Sequence, residues 1–216
     1  MRIYVFSDLT CTLTIMIDGK SSFMIHVCAL RDLDAVGMSL GPYRLLTLMS
    51  PSHPDDTWKQ HVRGPHLHLA FNDIIDPRDG LIAPDAAIVS AINEFGSEVS
   101  DDRPLLIHCW AGISRSSAAA YMIACARNPG HEFEIANELR RRAPFATPNA
   151  LMIRLADDLL TRNGRMVAAI AAIGRGAEAF AGTPYVLPLA YPTVASTPSK
   201  NPISPNCSTA PSTSPV

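Results

Sequence analysis

From Met24 onward the chain alternates short apolar runs with amphipathic ones. Met24–Leu30 reads as a buried strand and Tyr43–Met49 as a second, stopped by Ser50-Pro51. Between them Asp32–Leu40 has the spacing of a short helix, and Gly41-Pro42 ends it. His66–Phe71 alternates polar and apolar residues, as a half-buried strand does. Residues 51–65 and 72–83 carry Pro, Asp and Gly and read as loops. Pro84 opens a helix at its favoured first position, and Ala87, Ile88, Ala91, Ile92 and Phe95 give that helix one apolar face. Leu105–His108 is a short apolar strand. Ser116–Arg127 is a helix that is apolar nearly all round, closed by Asn128-Pro129-Gly130. Further amphipathic helices are expected over about 131–142, 149–161 and 165–180.

Strands alternating with helices predict an α/β fold, with a central four- or five-stranded parallel or mixed sheet between helices. One domain is expected over 24–182. Two readings of residues 1–23 stand side by side. Asp18-Gly19 between the apolar runs Thr12–Ile17 and Phe23–Val27 suggests a hairpin, and the alternative is an appendage ahead of the domain. Beyond Gly182 the chain turns to Pro, Ser and Thr. Such a segment buries too little apolar surface to offset its ordering entropy, so 183–216 is expected to be a disordered and dispensable tail.

Composition narrows the function classes. With 216 residues, 18% charged residues and a formal net charge of −2, nothing in the chain predicts the basic face that nucleic acid or a membrane surface selects. No window reaches 18 uninterrupted apolar residues, and Asp8 interrupts the N-terminal apolar stretch, so neither a membrane span nor a signal peptide is expected. Cys11, Cys28, Cys109, Cys125 and Cys207 form no regular spacing and no C-x-x-C pair. Free thiols in a reducing cytoplasm fit this pattern better than disulfides or a zinc site. His66 and His68 share a strand face near His53, Asp55, Asp56 and His61, but their spacing is irregular for metal ligands, and neither a metal nor another cofactor is expected.

The segment Leu105–Ser117 changes the picture. It runs Leu-Leu-Ile-His108-Cys109-Trp110-Ala111-Gly112-Ile113-Ser114-Arg115-Ser116-Ser117. An apolar strand feeds a cysteine, a tight loop follows, and a long helix starts at an arginine. Successive loop N–H groups and the positive end of the helix then converge on one point, which suits a phosphate dianion. Gly112 relieves the steric limit where the loop turns back. Arg115 offers a planar two-pronged set of donors that lysine lacks. The same field favours the thiolate form of Cys109. His108 is placed to orient the loop, and Ser116 to donate a hydrogen bond to the departing thiolate. A buried core thiol and a surface arginine would leave the His, Gly, Arg and Ser at these offsets without a reason.

His108-Cys109-x5-Arg115-Ser116 resembles the signature of the protein tyrosine phosphatase superfamily, and the length of the chain looks like its compact dual-specificity branch. The likeness spans about 24–180 and is specific only at 105–117. It implies a phosphatase with Cys109 as nucleophile, Arg115 and the Trp110–Ser114 backbone as phosphate cradle, and a loop aspartate as general acid. Asp73, directly after a strand in Ala70-Phe71-Asn72-Asp73, resembles the acid's position. Asp76 is the alternative, while Asp79 and Asp85 read as turn and helix-start residues. Asn149, in the Pro148-Asn149 segment that also resembles the dual-specificity branch, reads as a helix cap. Cys28 and Cys125 could pair reversibly with Cys109, as partner thiols do in some such enzymes, although core packing accounts for both. The expected substrate is a phosphorylated protein, with a small phosphomonoester as the alternative, because the loop lacks the lysines usual in lipid phosphatases. A rhodanese-type sulfurtransferase and a phosphopeptide-binding pseudophosphatase are the competing readings. Nothing in the sequence speaks to the oligomeric state.

Overall fold

The computed structural model describes residues 24–53, 57–99 and 103–191. The expected hairpin or appendage at 1–23, Cys11, Cys207 and the expected tail beyond Tyr191 lie outside these residues. Five strands form one sheet: β1 (Met24–Ala29), β2 (Arg44–Met49), β3 (His66–Ala70), β4 (Leu105–Cys109) and β5 (Tyr185–Pro188). Their order is β3-β2-β4-β1-β5, with the first four parallel and β5 antiparallel to β1. β2 and β4 are buried along their whole length, which is why they read as continuous apolar runs.

Helix α1 (Leu33–Leu40) and a 3-10 turn at Thr57–His61 cover one face of this sheet, through Leu33, Tyr43, Leu45, Trp58 and Leu106. The other face carries α2 (Ala86–Ser97), α3 (Arg115–Arg127), α4 (Glu132–Arg142), α5 (Ala150–Leu159) and α6 (Arg165–Ile173). Residues Ser116–Cys125 of α3 are all buried, so α3 is the central helix of that layer and its apolar sequence needs no polar side.

Three sequence expectations change. The helix after the 72–83 loop starts at Ala86 rather than Pro84, because the Asp85 carboxylate accepts the Ile88 N–H at 2.8 Å and caps α2. The last helix stops at Ile173 rather than near 180, where Gly174 turns to a φ of 65°. The third concerns the expected tail. Residues 185–188 are the fifth strand, pairing with β1 and burying Tyr185 and Leu187. Its few apolar side chains suffice because they enter an existing core, and because the open edge of β1 needs backbone partners. The Tyr185 hydroxyl also donates to Ser117 Oγ of α3 at 2.9 Å.

Candidate active site

β4 delivers Cys109 to its carboxyl end in the middle of the sheet, and α3 begins at Arg115. In open α/β sheets this end of the strands is where chemistry collects. The intervening loop is held from outside by four hydrogen bonds from three separate segments. The carbonyls of Trp110, Ala111, Ile113 and Ser114 accept N–H groups from Leu30 (3.2 Å), Gly182 (2.8 Å), Thr147 (3.1 Å) and Asn149 (3.4 Å). In a trans peptide the next residue's N–H points opposite to each carbonyl. The N–H groups of Ala111, Gly112, Ser114 and Arg115 are therefore turned to the inside of the loop. Gly112 has a φ of 71°, and a Cβ there would stand 2.7 Å from the Ala29 nitrogen, so no larger residue fits the turn.

Inside this cradle lies the Cys109 thiol. Its Sγ accepts the Gly112 N–H at 3.2 Å and lies 3.2 Å from Ser116 Oγ, at the positive end of α3. Arg115 is 5% exposed, and its Nη1 donates to the Phe71 carbonyl at 2.8 Å and to Ser50 Oγ at 3.3 Å. The guanidinium also sits 5.8 Å from the centre of the Phe71 ring. Three anchors fix the arginine at the rim of the loop.

Of the four loop carboxylates, one reaches the loop. Asp73 Oδ2 lies 3.9 Å from Arg115 Nε, and its Oδ1 accepts from Ser114 Oγ and from Asn149 Nδ2, both at 2.8 Å. Asp76 and Asp79 stay exposed in the same loop, and Asp85 is occupied as the α2 cap. Asn149 is the cap of α5, accepting the N–H groups of Leu151 and Met152 at 3.1 and 3.0 Å. Its other end holds Asp73, a second task that the sequence does not signal.

His108 is fully buried, and its Nε2 lies 2.9 Å from Thr47 Oγ1. Burial pulls its pKa down to about 3, so the ring is neutral. Trp110 leaves the loop outward, 46% exposed, with its ring edge-on to Phe180 at 5.6 Å and the His53 ring 6.4 Å away. Two hollows flank this aromatic pair. One, of about 510 Å³, is lined by Ile113, Phe145, Thr147, Arg175 and Phe180. The other, of about 370 Å³, is lined by Leu30, Arg31, His61, Trp110 and Phe180.

The remaining candidates go elsewhere. Cys28 and Cys125 are buried, and burial pushes both thiols well above their usual range, as suits core packing. His66 and His68 pack at a tilt against Trp58, with ring centres 5.0 and 4.5 Å away. Among the described residues no three His, Cys, Asp or Glu side chains are grouped to hold a metal ion, and no helix is long and apolar enough to cross a membrane.

No protein-family model and no curated protein matches the chain. Similar solved structures include a phosphatase domain. It is the Yvh1 phosphatase domain from Chaetomium thermophilum, at 16% identity and a TM-score of 0.45, over 67% of this chain and 98% of that one. Tk-PTP in its active form is similar at 22% identity and a TM-score of 0.48, over 62% of this chain and 88% of that one. DUSP15 is similar at 14% identity and a TM-score of 0.47, over 69% of this chain and 89% of that one.

The geometry itself defines the chemistry available here. The Cys109 sulfur lies at the focus of inward N–H donors, beside a fixed cation and a tethered carboxylate. Thr47, Ser50, Phe180 and Gly182 complete the site, and sequence reasoning singled out none of them. Thr47 sits inside an apolar run and the others in loops, so only the packing reveals them.

Proposed function

We propose that this protein is a cysteine-dependent phosphomonoesterase that works through a cysteinyl-phosphate. The observation that carries the proposal is the cluster at the start of α3. Cys109 Sγ accepts the Gly112 N–H, while Arg115 and Asp73 stand 3.9 Å apart at the mouth of the same loop.

The phosphoryl group of the substrate enters the cradle, where inward N–H groups and Arg115 bind its oxygens. Cys109 attacks as the thiolate, so the S–P bond forms as the bond from phosphorus to the leaving oxygen breaks. Asp73 gives its proton to that oxygen. In the second step a water attacks phosphorus, Asp73 takes a proton from it, and the S–P bond breaks to release inorganic phosphate. The departing thiolate is received by Gly112 N–H and Ser116 Oγ, each 3.2 Å from Sγ. Asp73 stands beside an arginine on a neutral serine and amide, so it has a role in this mechanism. A sulfurtransferase gives it none.

The aromatic wall of Trp110 and Phe180 beside the loop favours a flat leaving group, so a phosphotyrosine side chain leads as substrate. Exposed Ile75 and Ile82 in the Asp73 loop suit a polypeptide around it. A reducing cytoplasm would keep the thiol active.

The test is turnover by purified protein of phosphotyrosine peptides, phosphoserine and phosphothreonine peptides, sugar phosphates and thiosulfate. Hydrolysis of the tyrosine peptides that vanishes in Cys109→Ser is the expected outcome. Phosphate release only from sugar phosphates would reassign the substrate, and thiosulfate turnover alone would overturn the reaction class.

A further inference from the structure

A row of side chains runs across the sheet behind the nucleophile. In register, His68 of β3 pairs with Thr47 of β2, Thr47 with His108 of β4, and His108 with Cys28 of β1. They share one face, as does His66, two residues before His68. Thr47 Oγ1 lies between two imidazoles, 2.9 Å from His108 Nε2 and 3.1 Å from His66 Nε2. Thr47 and His108 are completely buried, whereas His66 is only half-buried on the edge strand. A hydrogen-bonded path therefore leads from the margin of the sheet to the residue preceding Cys109.

Proton counting gives the path a direction. The Thr47 hydroxyl has one proton and two acceptor lone pairs. A neutral His108 carries one N–H, on either Nδ1 or Nε2. Its Nδ1 is buried without a hydrogen bond of ordinary geometry, and the acceptor it faces is the Cys109 backbone, the one influence that favours a proton on the ring. With the proton on Nδ1, Nε2 becomes an acceptor and takes the Thr47 hydroxyl. The lone pair of Thr47 then takes the N–H of His66 Nε2. The opposite arrangement leaves Nδ1 without a proton while it faces an acceptor, so two lone pairs would oppose each other in a buried site.

We propose that Thr47 and His66 are positioning residues, which fix His108 as its Nδ1–H tautomer and so hold the backbone of Cys109 in its reactive setting. The proposal rests on the reading of Cys109 as the nucleophile. The groups around His66 fit this role. Trp58 packs its ring against both His66 and His68, and the rings of His66 and His68 lie parallel, 7° apart in plane. Among the described residues His68 is the titratable neighbour of His66, with Lys59 facing His68 and His61 facing His108, and none of these is a carboxylate that would hold a second proton on His66.

Nitrogen-15 NMR of the histidine rings in the full chain tests the tautomer without using turnover. His108 signals are assigned by their loss in His108→Gln. The expected wild-type spectrum shows Nδ1 as the protonated and Nε2 as the bare nitrogen of His108, and Thr47→Ser keeps it. Thr47→Val, or the milder edge substitution His66→Leu, should mix the two tautomers. Alkylation of Cys109 by iodoacetate across a pH series, read on the Cys109 peptide by mass spectrometry, should slow about 2–10-fold in both, the worth of one hydrogen bond. Thr47→Ser should restore the wild-type profile. A wild-type His108 protonated on Nε2 would overturn the proposal. So would tautomer and alkylation profiles that ignore a folded His66→Leu variant. If these readouts respond while no phosphomonoester is turned over, the positioning path stands and the phosphatase reading falls.

Discussion

Asn149 and Asp73, 76 residues apart in sequence, are joined by a 2.8 Å hydrogen bond from the asparagine Nδ2 to the aspartate Oδ1. The same asparagine caps α5 through its Oδ1, so the helix start and the proposed acid share one side chain. Asn149→Ala should remove both functions. Loss of the cap should destabilise the fold by about 0.5–2 kcal/mol. Asn149→Asp should keep the cap but set a second carboxylate against Asp73. If the tether matters, turnover of a tyrosyl phosphate falls in both variants, while denaturant midpoints fall mainly in Asn149→Ala. Equal turnover in wild type and Asn149→Asp would separate Asn149 from the chemistry.

Asp73 and Asp76 are distinguished by leaving-group dependence. A general acid contributes about 10²–10⁴ in rate, more as the leaving group becomes more basic. Asp73→Asn should therefore slow a tyrosyl phosphate far more than an activated aryl phosphate, and Asp76→Asn should change neither by much. Steady-state rates on the two substrates decide between them. The reverse pattern would move the acid role to Asp76.

How much of this was legible in the sequence varies along the chain. β4, the loop and α3 were readable because each follows from a local rule: an apolar run, a glycine at the turn and an apolar helix. The strands β1 to β3 fall within a residue of their expected limits, because alternation and punctuation by Pro and Gly mark their ends. β5 was not readable. Tyr-Val-Leu-Pro in a proline-rich context carries no strand pattern, and it is the open edge of β1 that makes it one. Thr47 and the second task of Asn149 were invisible for a related reason, since both depend on partners distant in sequence.

The fifth strand makes a stability prediction opposite to that of a dispensable tail. Removing residues from 184 onward should lower the melting temperature clearly, because it exposes the edge of β1 and the core beneath Tyr185, Leu187 and Leu189. Tyr185→Phe isolates one contact, the hydrogen bond to Ser117. Its loss is worth about 1 kcal/mol, or roughly 2–4 °C in a domain of this size. Thermal unfolding that is unchanged by the truncation would show that β5 adds nothing to the fold.

Acid should weaken the fold through two histidines, His108 buried and His26 half-buried. Burial lowers His26 from 6.5 to about 4 and His108 to about 3. Between those values and about 6.5 the unfolded chain binds protons that the folded chain excludes, so stability falls as pH drops through that window. Urea unfolding at a series of pH values should show the decline starting near pH 6.5. A His26→Gln variant should flatten its part of the slope, between about 6.5 and 4. A flat wild-type profile from pH 7 to 4 would contradict the neutral state of both rings in the fold.

The central claim is the covalent intermediate on Cys109, and a rapid acid quench during turnover of an aryl phosphate tests it most directly. Acid stops the second step, and mass spectrometry of the peptide spanning Leu105–Arg115 then reports the phosphoryl group. The account predicts phosphate on Cys109 within the first turnover. It also predicts no labelled peptide and no turnover in Cys109→Ser, and a larger trapped fraction in Asp73→Asn with an activated substrate, because the attacking water loses its base. An unmodified Cys109 throughout turnover, or hydrolysis that survives in Cys109→Ser, would contradict it.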